Sequence, residues 1–140
     1  MRMRVLTQTS QGKMLTIANE VSKLIQADKP ADVIMPAYPC DGERLIVIVA
    51  KAKPSMPDSF ARFMRSLKKS VTANIAFIID GSEENAAKIV EMAKTNDANV
   101  MDDKILYING GLPFKFIKNV DAETMQKVSD WVEDILKNLA

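Results

Sequence analysis

Seven polar residues, Thr7-Gln8-Thr9-Ser10-Gln11-Gly12-Lys13, separate a short apolar stretch from a helix-period segment. These residue types can hold an anion. The Thr7, Thr9 and Ser10 hydroxyls can donate to phosphate oxygens. Gly12 lets the backbone approach a ligand closely. Lys13 adds a cation, and a helix opening here adds free N–H groups and a positive dipole end. The same residues also make an ordinary polar N-capping turn that holds nothing. On residue types alone the two readings stand even.

Other chemistries are more easily set aside. The chain has no histidine, which excludes Ser-His-Asp and Cys-His catalysis and histidine-ligated metals. Cys40 is the only cysteine, so no internal disulfide forms, and it reads as an incidental loop thiol. Gln11-Gly12-Lys13 resembles the end of a Walker A loop, but that pattern needs Gly at 7 and Ser or Thr at 14, where Thr7 and Met14 stand. A receiver domain needs acids after the first strand and an Asp after the third, where Thr7-Gln8 and Lys51 stand. Arg62, Arg65, Lys68 and Lys69 read as a dipole-compatible solvated helix end in preference to a nucleic-acid patch. Asp102-Asp103 reads as loop charge rather than a divalent-ion site. No catalytic or metal residue is assigned, and a carrier or binding domain is expected rather than a catalyst.

The elements that must position the loop follow from periodicity. Met3 to Leu6 is a first strand. Met14, Ile17, Ala18, Val21, Leu24 and Ile25 form the stripe of a helix lying on a sheet, closed by Pro30. Asp32 to Met35 is a weaker strand. Leu45 to Ala50 and Asn74 to Ile79 are apolar on both faces, as central parallel strands are. Phe60, Phe63, Met64 and Leu67 mark a helix behind Pro57-Asp58. Ser82 caps a helix burying Ala86, Ile89, Val90 and Ala93, and Asp121 caps a final helix presenting Met125, Val128, Val132, Ile135, Leu136 and Leu139. Lys104 to Ile108 is the last strand, and Trp131 is expected to pack on the sheet or cover an edge. Five strands alternating with four helices imply a doubly wound parallel sheet with helices on both faces. The segment joining the second and third strands is too short for a crossover helix, and Asp41-Gly42 is a hairpin signal. An extended crossover is favoured over an antiparallel pair, because Leu45 to Ala50 reads as fully buried.

Val5 to Met14, followed by Ile17-Ala18, resembles the flavodoxin family, in which a strand runs into a hydroxyl-rich loop that wraps the FMN phosphate. Aligning the glycines puts Thr9 on the family's first hydroxyl position and Gly12 on its glycine. Phe60 to Met64 resembles the helix after the second flavin loop, Asp80-Gly81-Ser82 the start of the third, and Leu112-Pro113-Phe114 with the Trp131 helix the C-terminal end. The resemblance implies strand order 2-1-3-4-5, an FMN cofactor, an electron-transfer role and a redox partner protein. It implies that Thr7, Thr9, Ser10, Gln11, Gly12, Lys13 and Met14 surround the phosphate, and that Lys51, Ala52, Lys53, Pro54, Asp80 and Gly81 flank the ring. Gln11, Lys13 and Met14 replace the family's Thr, Asn and Thr, and neither ring loop carries an aromatic. Tyr38 is the one loop aromatic that could reach a ligand. The alternative is a flavin-free binding or assembly module on the same fold.

Composition agrees with one domain over residues 1–140. A net charge of +1 argues against a dedicated nucleic-acid or anionic-membrane protein. Met1-Arg2-Met3-Arg4 precedes no long apolar run, and Leu45 to Ala50 is too short to span a bilayer, so a cytoplasmic location is expected.

Overall fold

The computed structural model describes residues 2–8, 12–34, 40–108 and 120–140. Thr9, Ser10, Gln11, Met35, Tyr38 and the Leu112-Pro113-Phe114 segment lie outside the described residues. The elements in order are β1 (Met3–Thr7), α1 (Gly12–Leu24), β2 (Asp32–Val33), β3 (Glu43–Lys51), α2 (Asp58–Arg65), β4 (Thr72–Asp80), α3 (Glu83–Ala93), β5 (Asn99–Val100), β6 (Leu106–Tyr107) and α4 (Ala122–Lys137). Every strand pair is parallel, and the sheet order is β2-β1-β3-β4-β5 with β6 also on β4. This is the doubly wound α/β architecture expected from the sequence.

Alternation along the strands feeds two cores. Val5, Leu45, Val47, Val49, Ala76 and Ile78 face α1 and α4, while Leu6, Ile46, Ile48, Ile75, Phe77 and Ile79 face α2 and α3. β2 and β3 both pair with β1, on its opposite edges, so the segment between them is a crossover and not a hairpin. Ile34 and Cys40 pack on the same face as α2 and α3. The described ends of this connection thus lie on the face that α2 and α3 also cover.

The last strand position differs from the single strand expected over Lys104 to Ile108. It is split into β5, paired to Asn74 and Ile75, and β6, paired to Ile78 and Ile79. Between them Met101 turns into the core and its N–H donates to Ile75 O at 2.9 Å. Asp102 and Asp103 then make the exposed turn, because carboxylates cannot sit in a buried strand. Trp131 of α4 covers the break, donating its Nε1 proton to Lys104 O at 2.6 Å. It thus does both things expected of it.

The caps read from the sequence are present. Ser82 Oγ accepts from Asn85 N, and an Asp121 carboxylate oxygen accepts from Thr124 N. The end of α1 is less regular. The helix stops at Leu24, well before Pro30, and Gln26 takes a left-handed φ of 55°. That conformation usually falls to glycine after a helix end. Gln26→Gly should therefore raise the unfolding free energy by about 0.5–1 kcal/mol in urea titrations. A loss of stability would show that the Gln26 side chain contributes more than its backbone strain costs.

Candidate functional site

In open α/β sheets ligands bind beyond the carboxyl ends of the strands, where the winding reverses. Here that point lies between β1 and β3. Thr7, the last residue of β1, is fully buried, and its carbonyl accepts from Ile34 N at 2.9 Å. Gln8 N donates to Val49 O at 3.1 Å. The Gln8 side chain then accepts from Lys51 N at 3.0 Å, so a side chain supplies the rung that follows the β1·β3 ladder. Nothing in the residue types marked Gln8 for this role.

Gly12 opens α1 with a φ of +79°, and a Cβ placed there would meet no atom within 4 Å. The position therefore needs glycine for its backbone conformation and leaves open space above it. Lys13 is half-buried beside the start of α4. The Thr124 N–H and hydroxyl hold the Asp121 carboxyl below the usual carboxylate range, and the Lys13 charge adds to this. Met14 is buried among the α1-side core residues.

The other two loops meet directly. Lys51 and Asp80 are register partners at the ends of β3 and β4, and Ala52 N donates to Asp80 O at 2.8 Å. Gly81 sits against Ala52 with a φ of +147°. Ala52 is buried, whereas Lys51, Lys53 and Pro54 are exposed. Lys88 of α3 donates from Nζ to Pro54 O at 3.2 Å and ties the β3–α2 loop down. Met56 packs partly into the core below that loop.

The structure thus brings Thr7, Gln8, Lys51 to Pro54, Asp80 and Gly81 to one edge, with Gly12 and Lys13 at the mouth of α1. Thr9, Ser10 and Gln11 lie outside the described residues. Among the described residues, Lys13, Lys51 and Lys53 close no ion pair. Tyr107, at the carboxyl end of β6 and in register with Ile79, is an exposed aromatic on this edge. Burial pushes its hydroxyl up, and Glu83 adds to the shift. Sequence reading passed it over because it is the alternate, outward residue of an expected strand.

Comparison with protein-family models, curated proteins and solved structures finds no match. Among the described residues no three or more Cys, Asp and Glu side chains are grouped to hold a metal ion, and no helix is long and apolar enough to cross a membrane.

Proposed function

We propose that the carboxyl edge of the sheet binds a phosphorylated planar ligand, FMN, and that the protein has an electron-transfer role. The observation that carries this reading is the set of three lysines, Lys13, Lys51 and Lys53, that stand around the winding reversal at the N-terminus of α1 and close no ion pair among the described residues. A phosphate there gains backbone N–H groups, the helix dipole and at least one cation. A Cβ at Gly12 would meet no atom within 4 Å, so the backbone there is open to a close approach. Lys51 to Pro54, Asp80 and Gly81 would flank the ring, with half-buried Met56 below the second loop. Bound flavin would accept and release the electrons, and the protein would orient it and set its potential.

The second reading is a flavin-free binding module. It is favoured by the Gln8–Lys51 and Lys88–Pro54 bonds, which satisfy loop polar groups within the chain. An FMN titration separates the two. FMN fluorescence should be quenched at micromolar protein, and riboflavin, lacking the phosphate, should bind at least about tenfold more weakly. Gly12→Val should abolish FMN binding. Its side chain meets no atom within 4 Å, so the cost is the backbone strain of a φ of +79°, about 1–3 kcal/mol, which circular dichroism and a urea titration of the variant would show it survives folded. A colourless protein that leaves FMN fluorescence unchanged would sink the flavin reading.

A further inference from the structure

The near-neutral total hides a local concentration of positive charge. From Asp58 to Lys69 the chain carries Arg62, Arg65, Lys68 and Lys69 against one acid, a local charge of +3 in a chain of +1. The remainder is net acidic. Its acids lie on both faces: Glu83, Glu84 and Glu91 on α3, which packs on the same face as α2, and Glu123, Asp130, Glu133 and Asp134 on α4, across the sheet. All four cations are exposed, and among the described residues none closes an ion pair. Asp97 partly offsets the two lysines. It accepts the Lys69 backbone N–H at 2.8 Å, a bond that, with the charges of Lys69 and Lys68, holds its carboxyl low. Arg62 and Arg65 have no acid within ion-pair distance among the described residues.

Helix-dipole compensation accounts for cations at the end of α2. It does not account for what lies beside them. Ser59, Arg62, Phe63 and Ser66, spaced i, i+3, i+4 and i+7, line an open cleft of about 270 Å³. Phe63 is half-buried and packs against the core, so it presents an apolar surface to the cleft. Ser66 Oγ is turned back onto Phe63 O at 2.6 Å, which leaves Arg62 as the charged group lining it.

We propose that this face docks an acidic protein segment, whose carboxylates meet Arg62 and Arg65 and whose apolar side chain enters the cleft over Phe63. Charge complementarity selects the occupant. The guanidinium fork matches a carboxylate in two parallel bonds. Arginine and aromatic residues are also the groups that concentrate binding energy at protein interfaces. Single-stranded nucleic acid fits less well, because one half-buried ring is no platform for successive bases.

The test uses a fluorescein-labelled peptide of Glu-Glu-Leu repeats, followed by anisotropy at low salt. Wild-type protein should bind it, and R62E/R65E should weaken binding at least about tenfold. Both arginines are exposed, so the variant should keep its circular dichroism, and the unfavourable acids at the end of α2 should lower its melting temperature only slightly. A Glu-Glu-Ser peptide should bind more weakly than the leucine peptide, and Phe63→Ala should narrow that gap. Four results would overturn the proposal: no binding by wild type, equal binding by R62E/R65E, tighter binding of oligo-dT than of the peptide, or self-association that R62E/R65E abolishes. The last would assign the face to a second copy of the chain.

Discussion

Gly81→Val should lower the unfolding free energy by about 3 kcal/mol, read as a shift of the urea midpoint at unchanged slope. Two costs add. A φ of +147° is open to glycine and closed to L side chains, and forcing one there costs about 1–3 kcal/mol. A Cβ would also lie 2.8 Å from Ala52 O and 3.0 Å from Ala52 Cβ. The oxygen belongs to the backbone and cannot rotate away. The next peptide cannot retreat either, since Ala52 N is bonded to Asp80 O at 2.8 Å. Relief therefore requires parting the ends of β3 and β4, an overpacking cost of about 1–3 kcal/mol. Those ends carry Lys51 and Lys53, so FMN binding should weaken at temperatures where the variant is still folded. A stability change under about 0.5 kcal/mol would show that the two loops separate freely, and that the close contact does not build the edge.

That contact also shows what the sequence could and could not reveal. Leu45 to Ala50 and Asn74 to Ile79 were legible because a strand buried on both faces has no polar alternation to confuse it. Ser82 and Asp121 were legible because capping is local chemistry. Asp80-Gly81 entered only through the resemblance, as the start of a loop, but the reason for its glycine is a tertiary one, the carbonyl of Ala52. The same holds for Gln8, whose bond to Lys51 N spans two strands. The split between β5 and β6 was hidden because strands of two residues carry no period. What places them is the edge of β4, the burial of Met101 and the cover given by Trp131. The basic end of α2 was legible as Arg62, Arg65, Lys68 and Lys69, but the cleft beside it was not, because it depends on how Phe63 packs against the core.

The second large effect tests whether scaffold and site can be separated. Asn74 is fully buried near the start of β4, at the end of the sheet away from the candidate site. Its Nδ2 donates to Arg44 O at 2.9 Å and Ala140 O at 3.4 Å, while its Oδ1 accepts from Asn99 Nδ2 at 2.8 Å and Ala140 N at 2.9 Å. One amide thus joins β3, β5 and the residues after α4. A net hydrogen bond contributes about 1 kcal/mol, and a buried group left without its partner costs more. Asn74→Ala removes all four bonds and opens a cavity. Asn99 is exposed and can turn to water, which limits the loss to about 3 kcal/mol. Asn74→Asp should do comparable damage, since it keeps the shape but replaces two donor protons with a buried charge. Both variants should loosen the packing of α4, seen as a change in Trp131 fluorescence in the native baseline. Any FMN affinity measured well below the melting temperature should stay within about twofold of wild type, because no bond of Asn74 reaches Lys51, Gly81 or the start of α1. Loss of FMN affinity in a folded Asn74 variant would mean that the two ends of the sheet are coupled through β4. The carboxyl edge could then no longer be treated as a site standing on a rigid support.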